Sequence, residues 1–369
     1  MKKRINCIGI LTSGGDCPGL NAAIRAVSKT VARHGVSIVG ILDGFTGLIQ
    51  NRVMHLGPKE LSGILTLGGT ILGTSRNKPH KMPLEDGEFH DMTGAAIENY
   101  NRLGLDCLVC LGGNGTQKNA YHLMKEGNIN VVTLPKTIDN DIYGTDQCFG
   151  FDTGMTIACE AIDRLHTTAS SHHRIMLVDV MGHNSGWLAL AAGLSGGADV
   201  ILIPEIPYDI ENVAVSLLKR KEGGKRFSIV VVAEGATSIE DVKKAEDIKN
   251  DGNEIEYFDN HPFFPHKIPT SELLAGIIEK KIGLETRVTS LGYLQRGGIP
   301  TPTDRVLATQ LGTRAGEAVL NNEFGVMIAV EGAEYLPVPL KEVAGKKKLV
   351  PLDDPLVKTA RLLGISLGD

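Results

Sequence analysis

Aromatic residues are scarce in this chain of 369: Phe, Trp and Tyr together make up 5%, with a single tryptophan. That supply is too thin for a surface that stacks on nucleic-acid bases. Neither sign of charge dominates. The 38 Lys and Arg against 43 Asp and Glu leave a formal net charge of −5, which argues against nucleic acid or a membrane surface as the main partner. No apolar run reaches the ~20 residues that a membrane helix needs. The six cysteines are Cys7, Cys17, Cys107, Cys110, Cys148 and Cys159, and no second CxxC or nearby histidine pair joins Cys107 and Cys110 in a zinc pattern. Those two lie within "LDCLVCL", where a strand turns them to opposite faces and buried reduced thiols are expected. Internal repeats and low-complexity tracts are absent as well. The opening "MKKRINCIGILTSGGD" has basic residues before a short apolar stretch, but it runs into a glycine-rich turn instead of a cleavage site. It predicts the first strand of a cytoplasmic protein.

What is present is an ordinary globular composition, 42% hydrophobic, with room for two domains. Apolar strands recur at "NCIGILT", "VSIVGIL", "DCLVCLG", "NVVTLP", "RIMLVDVM", "DVILIPE", "FSIVVVAEG", "TRVTSLGYL" and "GVMIAVEG". Helical periodicities such as "LNAAIRAVSKTVARHG" separate most of them. Strands alternating with helices predict an α/β fold with largely parallel sheets. In such sheets ligands sit beyond the carboxyl ends of the strands, so chemistry is sought immediately after each strand. Residues 237–282 break the pattern and read as an inserted surface excursion closed by a helix. The last thirty residues, with "GKKKLVPLDDP", read as a peripheral extension.

Two strand ends share one design. After "IGILT" come Gly14, Gly15, Asp16 and Pro18, then a helix; after "LVCL" come Gly112, Gly113, Asn114, Gly115 and Thr116, then a helix. Glycine lets the backbone turn sharply and approach a ligand. The helix behind it points free N–H groups and a positive dipole end at the loop, which suits phosphate. Neither loop is a Walker A or a dinucleotide fingerprint. One such loop reads equally well as a plain turn; two favour phosphate. A third loop, "GGTILGTSRNK", offers Arg76 and Asn77. "PKTIDNDI" at 135–142 puts Lys136, Thr137, Asp139 and Asp141 at the end of the apolar strand "INVVTL". Asp and Asn are common in turns because they bond their own backbone. A site needing one carboxylate as a base and another near a metal reads the same residues differently. Arg174, Glu234, Arg287, Tyr293 and Arg296 also flank strands. Arginine suits bidentate phosphate recognition, but each one taken alone reads first as a surface ion pair.

Taken together, "SGGDCPGLNAAIR", "GGTILGTSR", "GGNGTQ", "PKTIDND", "SSHHRI", "VMGHNSGWLAL", "IPE", "AEG" and "ETRVTSLGYLQRGG" resemble, in order, the phosphofructokinase family over about residues 5–320. The resemblance implies two αβ domains with the active site in the cleft between them. The donor domain would be 1–150 plus 295–345. The sugar-phosphate domain would be 151–294 plus 346–369, including the insertion 237–282. It also implies phosphoryl transfer to the 1-hydroxyl of fructose 6-phosphate with Mg2+. Asp139 is then the base, Asp141 and Asn114 the metal-side residues, and Thr137 a contact to the acceptor region. Gly15, Arg76, Asn77, Gly113, Asn114, Gly115 and Thr116 resemble the donor-binding loops. Met181, Gly182, His183, Glu234, Arg287, Tyr293 and Arg296 match the sugar-phosphate site. Arg174 and Arg287 match residues supplied across a subunit interface, so a homo-oligomer, dimer or tetramer, with shared active sites is implied.

Three positions depart from the best-known ATP enzymes of the family. Asn114 stands where they have Asp, so one metal-side charge is missing. Lys136 stands where they tend to have Gly and resembles the pyrophosphate-dependent branch. That branch, however, usually carries Asp where Gly115 stands, and such a side chain crowds the α-phosphate of ATP. Gly115 therefore favours ATP as donor, with pyrophosphate the alternative and Lys136 serving in catalysis with either. His183 stands where many ATP enzymes have Arg. A catalytically silent sugar-phosphate sensor is the remaining reading, and the intact Asp139, Thr137, Arg174 and Glu234 oppose it.

Overall fold

The computed structural model describes residues 3–83, 87–250 and 270–369. Its strands are β1 (Cys7–Ser13), β2 (Ser37–Ile41), β3 (Val53–His55), β4 (Met82–Pro83), β5 (Phe89–His90), β6 (Cys107–Gly112), β7 (Val131–Pro135), β8 (Ile175–Val180), β9 (Val200–Leu202), β10 (Ser228–Ala233), β11 (Thr286–Ser290), β12 (Val326–Glu331) and β13 (Glu334–Pro339). All nine strands expected from apolar runs form. The chain divides into two compact units, Met1–Thr153 with Arg296–Lys348, and Gly154–Gln295 with Leu349–Asp369.

The first unit is built on a seven-stranded sheet of order β13-β12-β7-β6-β1-β2-β3. β2, β1, β6, β7 and β12 run parallel, while β3 and β13 close the two edges antiparallel. β6 is buried along its whole length, including the unbridged Cys107 and Cys110, because helices cover both faces of a parallel sheet. From β1 the chain steps to β2 on one side, whereas β6, β7 and β12 step away on the other. The strand order thus reverses between β1 and β6, and a ligand crevice is expected outside their carboxyl ends. The helices Leu20–Ala32 and Pro302–Leu320 pack closely, and a Cβ on Gly312 would lie 2.8 Å from the Ala23 carbonyl oxygen.

The second unit carries a four-stranded parallel sheet, β11-β8-β10-β9. The helix Thr270–Ile282 buries Leu274, Ile278 and Ile282. The closing helix expected for the 237–282 stretch is therefore present, packing one face inward and leaving the other exposed; residues 251–269 of that stretch lie outside the described residues. The chain's last residues are not peripheral. Ser366 bridges Val200 beside β9, its carbonyl accepts the Ile201 N–H at 2.9 Å, and Leu367 is buried. Apolar spacing alone missed this because the tail holds the unit through main-chain bonds. Among the described residues no helix is long and apolar enough to cross a membrane.

Candidate active site

In the first unit, the loops after β1, β6 and β7 meet at the point where strand order reverses. Gly14, φ 88°, is in a left-handed conformation that favours glycine. It donates its N–H to Ser75 O at 2.9 Å and accepts from Thr74 Oγ1 at 2.7 Å. Asn77 Nδ2 reaches Thr46 Oγ1 at 3.2 Å, and Thr46 in turn bonds Ser75. The loop carrying exposed Arg76 is thereby tied to the loop after β1. Gly15 is small for a different reason: a Cβ there would lie 1.8 Å from Arg296 Nη1. Arg296 also donates to Asp16 O at 3.3 Å, so an arginine matched to the sugar-phosphate site sits against the first glycine loop.

After β6, Gly113 starts the helix Asn114–Gly127, and its carbonyl accepts the Thr116 and Gln117 N–H groups. The N–H groups ahead of them are the ones a helix leaves without an internal partner. A Cβ on Gly115 would meet nothing within 4 Å, and its backbone is not left-handed. Neither packing nor conformation demands glycine there, so open space is what its small size provides.

After β7, Lys136 is buried and its ammonium donates to Gly15 O. Burial pulls its pKa below the ordinary lysine value, against the opposing effect of Cys17. The next residues do form a turn: Asp139 N–H bonds Thr137 Oγ1 at 3.0 Å, and Asn140 sits at φ 52°. Asn140 was unassigned by the sequence, yet it closes the turn by accepting the Cys148 N–H at 3.0 Å. The turn reading of "TIDND" is thus met, and the same turn leaves Asp139 and Asp141 close to the glycine loops. Burial raises the pKa of Asp139, while Arg296 and Lys136 oppose the rise. Burial, then the Asp139 charge, pushes Asp141 up to about 7.

Asn114 Nδ2 donates to Asp141 Oδ2 at 2.7 Å and to Asp141 O at 3.3 Å. Asn114 Oδ1 is buried with no hydrogen-bond partner. A carboxylate beside an unmatched carbonyl oxygen is a hard-oxygen pair. It suits Mg2+, which takes one or two protein ligands and completes its shell with phosphates and waters. The residues present fit that ion. Gln117, also unassigned, is buried and donates to Gly112 O at 3.1 Å, while Thr133 Oγ1 donates to its Oε1. One side chain thus ties the end of β6 to β7. Its only sequence signal was its place in "GGNGTQ".

In the second unit, β8 and β10 are parallel, with Val180 opposite Ala233. Their carboxyl ends bring Met181, Gly182 and His183 beside Glu234, which accepts the His183 N–H at 2.6 Å. Tyr293 follows β11 at the same end and is 76% exposed. Arg174 and Arg287 lie at the other end of this sheet. Arg174 Nε bonds Glu285 Oε2 at 2.5 Å, and Arg287 bonds Oε1 of the same residue. Arg174 precedes the six residues of β8, and Arg287 pairs with Met176 near its start, so ~20 Å and ~13 Å of strand separate them from the Val180 end. Within this unit the structure joins Met181, Gly182, His183 and Glu234, and it separates Arg174 and Arg287 from them.

Comparison with known proteins identifies the family. The family model described as Phosphofructokinase matches residues 7–319. The chain belongs to the phosphofructokinase family. An ATP-dependent 6-phosphofructokinase of Spirochaeta thermophila is 52% identical over 98% of this chain and 97% of its own length. Another of that name, from Propionibacterium freudenreichii, is 51% identical over 98% and 99%. Among solved structures, phosphofructokinase from Pichia pastoris in the T-state superposes with a TM-score of 0.77 at 33% identity. That match covers 93% of this chain but only 36% of the longer Pichia chain. A pyrophosphate-dependent phosphofructokinase of Marinobacter aquaeolei shares the fold, with a TM-score of 0.76 at 22% identity over 98% of this chain and 92% of its own.

Proposed function

We propose that this chain is an ATP-dependent 6-phosphofructokinase, transferring the γ-phosphoryl group of ATP to the 1-hydroxyl of fructose 6-phosphate. The product is fructose 1,6-bisphosphate, and the setting is glycolysis in the cytoplasm. The observation that carries this reading is identity above 50% over nearly the whole length with relatives of that name. The first unit then serves as the donor half. Gly15, Gly113, Gly115 and Thr116 let the phosphate chain approach the backbone, and Arg76 and Asn77 flank it. Asp139 accepts the proton of the sugar 1-hydroxyl as the new P–O bond forms and the bond to ADP breaks, a contribution typically worth ~10²–10⁴-fold. Thr137 holds the Asp139 N–H. Lys136 and Arg296 set positive charge beside the base, where the transferred group gathers negative charge. Asn114 and Asp141 would hold Mg2+, which when bound neutralises charge on the donor phosphates.

The second unit serves as the sugar-phosphate half, through Met181, Gly182, His183, Glu234 and Tyr293. Arg174 and Arg287, far from His183, suit service to another copy's site, which makes a homo-oligomer, dimer or tetramer, the active form. A pyrophosphate-dependent activity is a second reading, favoured by the lysine at position 136 with its ammonium on Gly15 O. Coupled assay of fructose 1,6-bisphosphate formation tests the reading, with Asp139→Ser as its control. Turnover should fall at least ~100-fold while fructose 6-phosphate still binds. Full turnover in that variant would remove Asp139 from the role of base.

A further inference from the structure

Lys348 lies beyond residues 7–319, the stretch matched by the family model, yet it grips the acid loop at three points. Its N–H donates to Asp141 O at 2.8 Å. Its ammonium donates to Thr145 O and Asp146 O, each at 2.9 Å. Just before it, Lys347 forms an antiparallel bridge with Ile142. The far side of the same turn is fixed to β12. Asp146 N–H bonds Val330 O, Val330 N–H bonds Thr145 Oγ1, and Gly332 N–H bonds Asp146 Oδ2, at 2.8 to 2.9 Å. Asp141 O therefore receives two donors, the Lys348 N–H and Asn114 Nδ2. In the placement those two bonds hold, Asp141 Oδ2 accepts from Asn114 Nδ2.

We propose that Lys348 is a positioning residue of the donor site: it holds the 141–146 turn so that the Asp141 carboxylate faces Asn114. An ammonium on two main-chain carbonyls forms charge-assisted bonds, roughly twice as strong as neutral ones. The inference rests on Asp141 and Asn114 being the metal-side residues of an ATP-dependent enzyme.

Lys348→Met keeps the stem and removes the charge. Groups that orient metal-side residues typically change metal affinity or activity by 10–100-fold. The Mg2+ concentration giving half the maximal rate should accordingly rise about tenfold. Binding of MgATP, followed by calorimetry without sugar phosphate, should weaken to a similar degree, while KM for fructose 6-phosphate stays within about twofold. Lys348→Arg, retaining charge and donors, should recover most of the loss. Lys346→Met, whose ammonium sits 4.8 Å from the Tyr143 ring instead, should behave as wild type. If Lys348→Met is insoluble, Lys348→Gln carries the same comparison. Unchanged Mg2+ dependence and MgATP binding in an active background would overturn the inference alone. A wild-type protein inactive with MgATP would overturn the function on which it rests.

Discussion

Asn114 donates its side-chain amide to Asp141 Oδ2 over 2.7 Å, while its own Oδ1 is buried without a hydrogen-bond partner. One residue thus steadies the acid beside it and, in the proposed site, leaves a neutral oxygen for the cation. Asn114→Asp would replace the donated bond with a second negative charge beside Asp141, and like charges oppose each other's ionisation. In metal-free protein at pH 8 the variant should melt about 1–2 °C lower, the shift that ~1 kcal/mol makes in a chain of this length. Added Mg2+ should raise its melting temperature more than that of the wild type. Thermal scans with and without Mg2+ check this; equal Mg2+ responses would contradict it.

Gly115 opens on free space, so Gly115→Asp tests whether that space admits the nucleotide. The fold should be indifferent, within about 0.5 kcal/mol, as for substitutions away from packed features. A carboxylate set against a phosphate chain costs several kcal/mol, so kcat/KM for ATP should drop by roughly 100-fold or more. Turnover with pyrophosphate, if present, should be spared. An unchanged ATP rate would mean that position 115 does not face the donor.

Asp179 supplies a pH signature away from the proposed chemistry. Burial, more than its bond from Ser290 opposes, pushes its carboxyl up to about 6. The folded protein therefore holds this proton more tightly than the unfolded chain, whose value is about 4. The stability linked to it is fully present below about pH 4, declines as pH rises toward 6, and stays lost above. Asp179→Asn should melt about 2–4 °C higher than wild type at pH 8, with the gain vanishing near pH 4. A gain independent of pH would contradict the assignment.

The parallel core was legible because buried strands such as "SIVVVA" are continuous apolar runs, and glycines after β1 and β6 marked the ends where ligands belong. Asp139 and Asp141 were legible because two acids at the end of an apolar strand are hard to justify by packing. The antiparallel edge strand β13 was missed because its residues, Glu334–Pro339, alternate weakly and include two prolines. Long-range placement was the larger gap. Arg296 contacts the carbonyl of Asp16, 280 positions earlier, and Lys348 reaches Thr145, 203 positions earlier. No local pattern encodes such meetings, because chain topology sets them. Asn140 illustrates the opposite limit. Its tolerance of a left-handed backbone is written in its residue type, but only the structure shows that the turn needs it.

The most direct measurement is the initial rate on fructose 6-phosphate and Mg2+ with ATP or pyrophosphate as the only phosphoryl donor. Turnover with ATP and little or none with pyrophosphate is the expected result, and it would place the open space at Gly115 above the charge of Lys136 in choosing the donor. Turnover with pyrophosphate alone would contradict the donor assignment and make Lys136 the deciding residue. Turnover with neither would contradict the enzymatic reading itself.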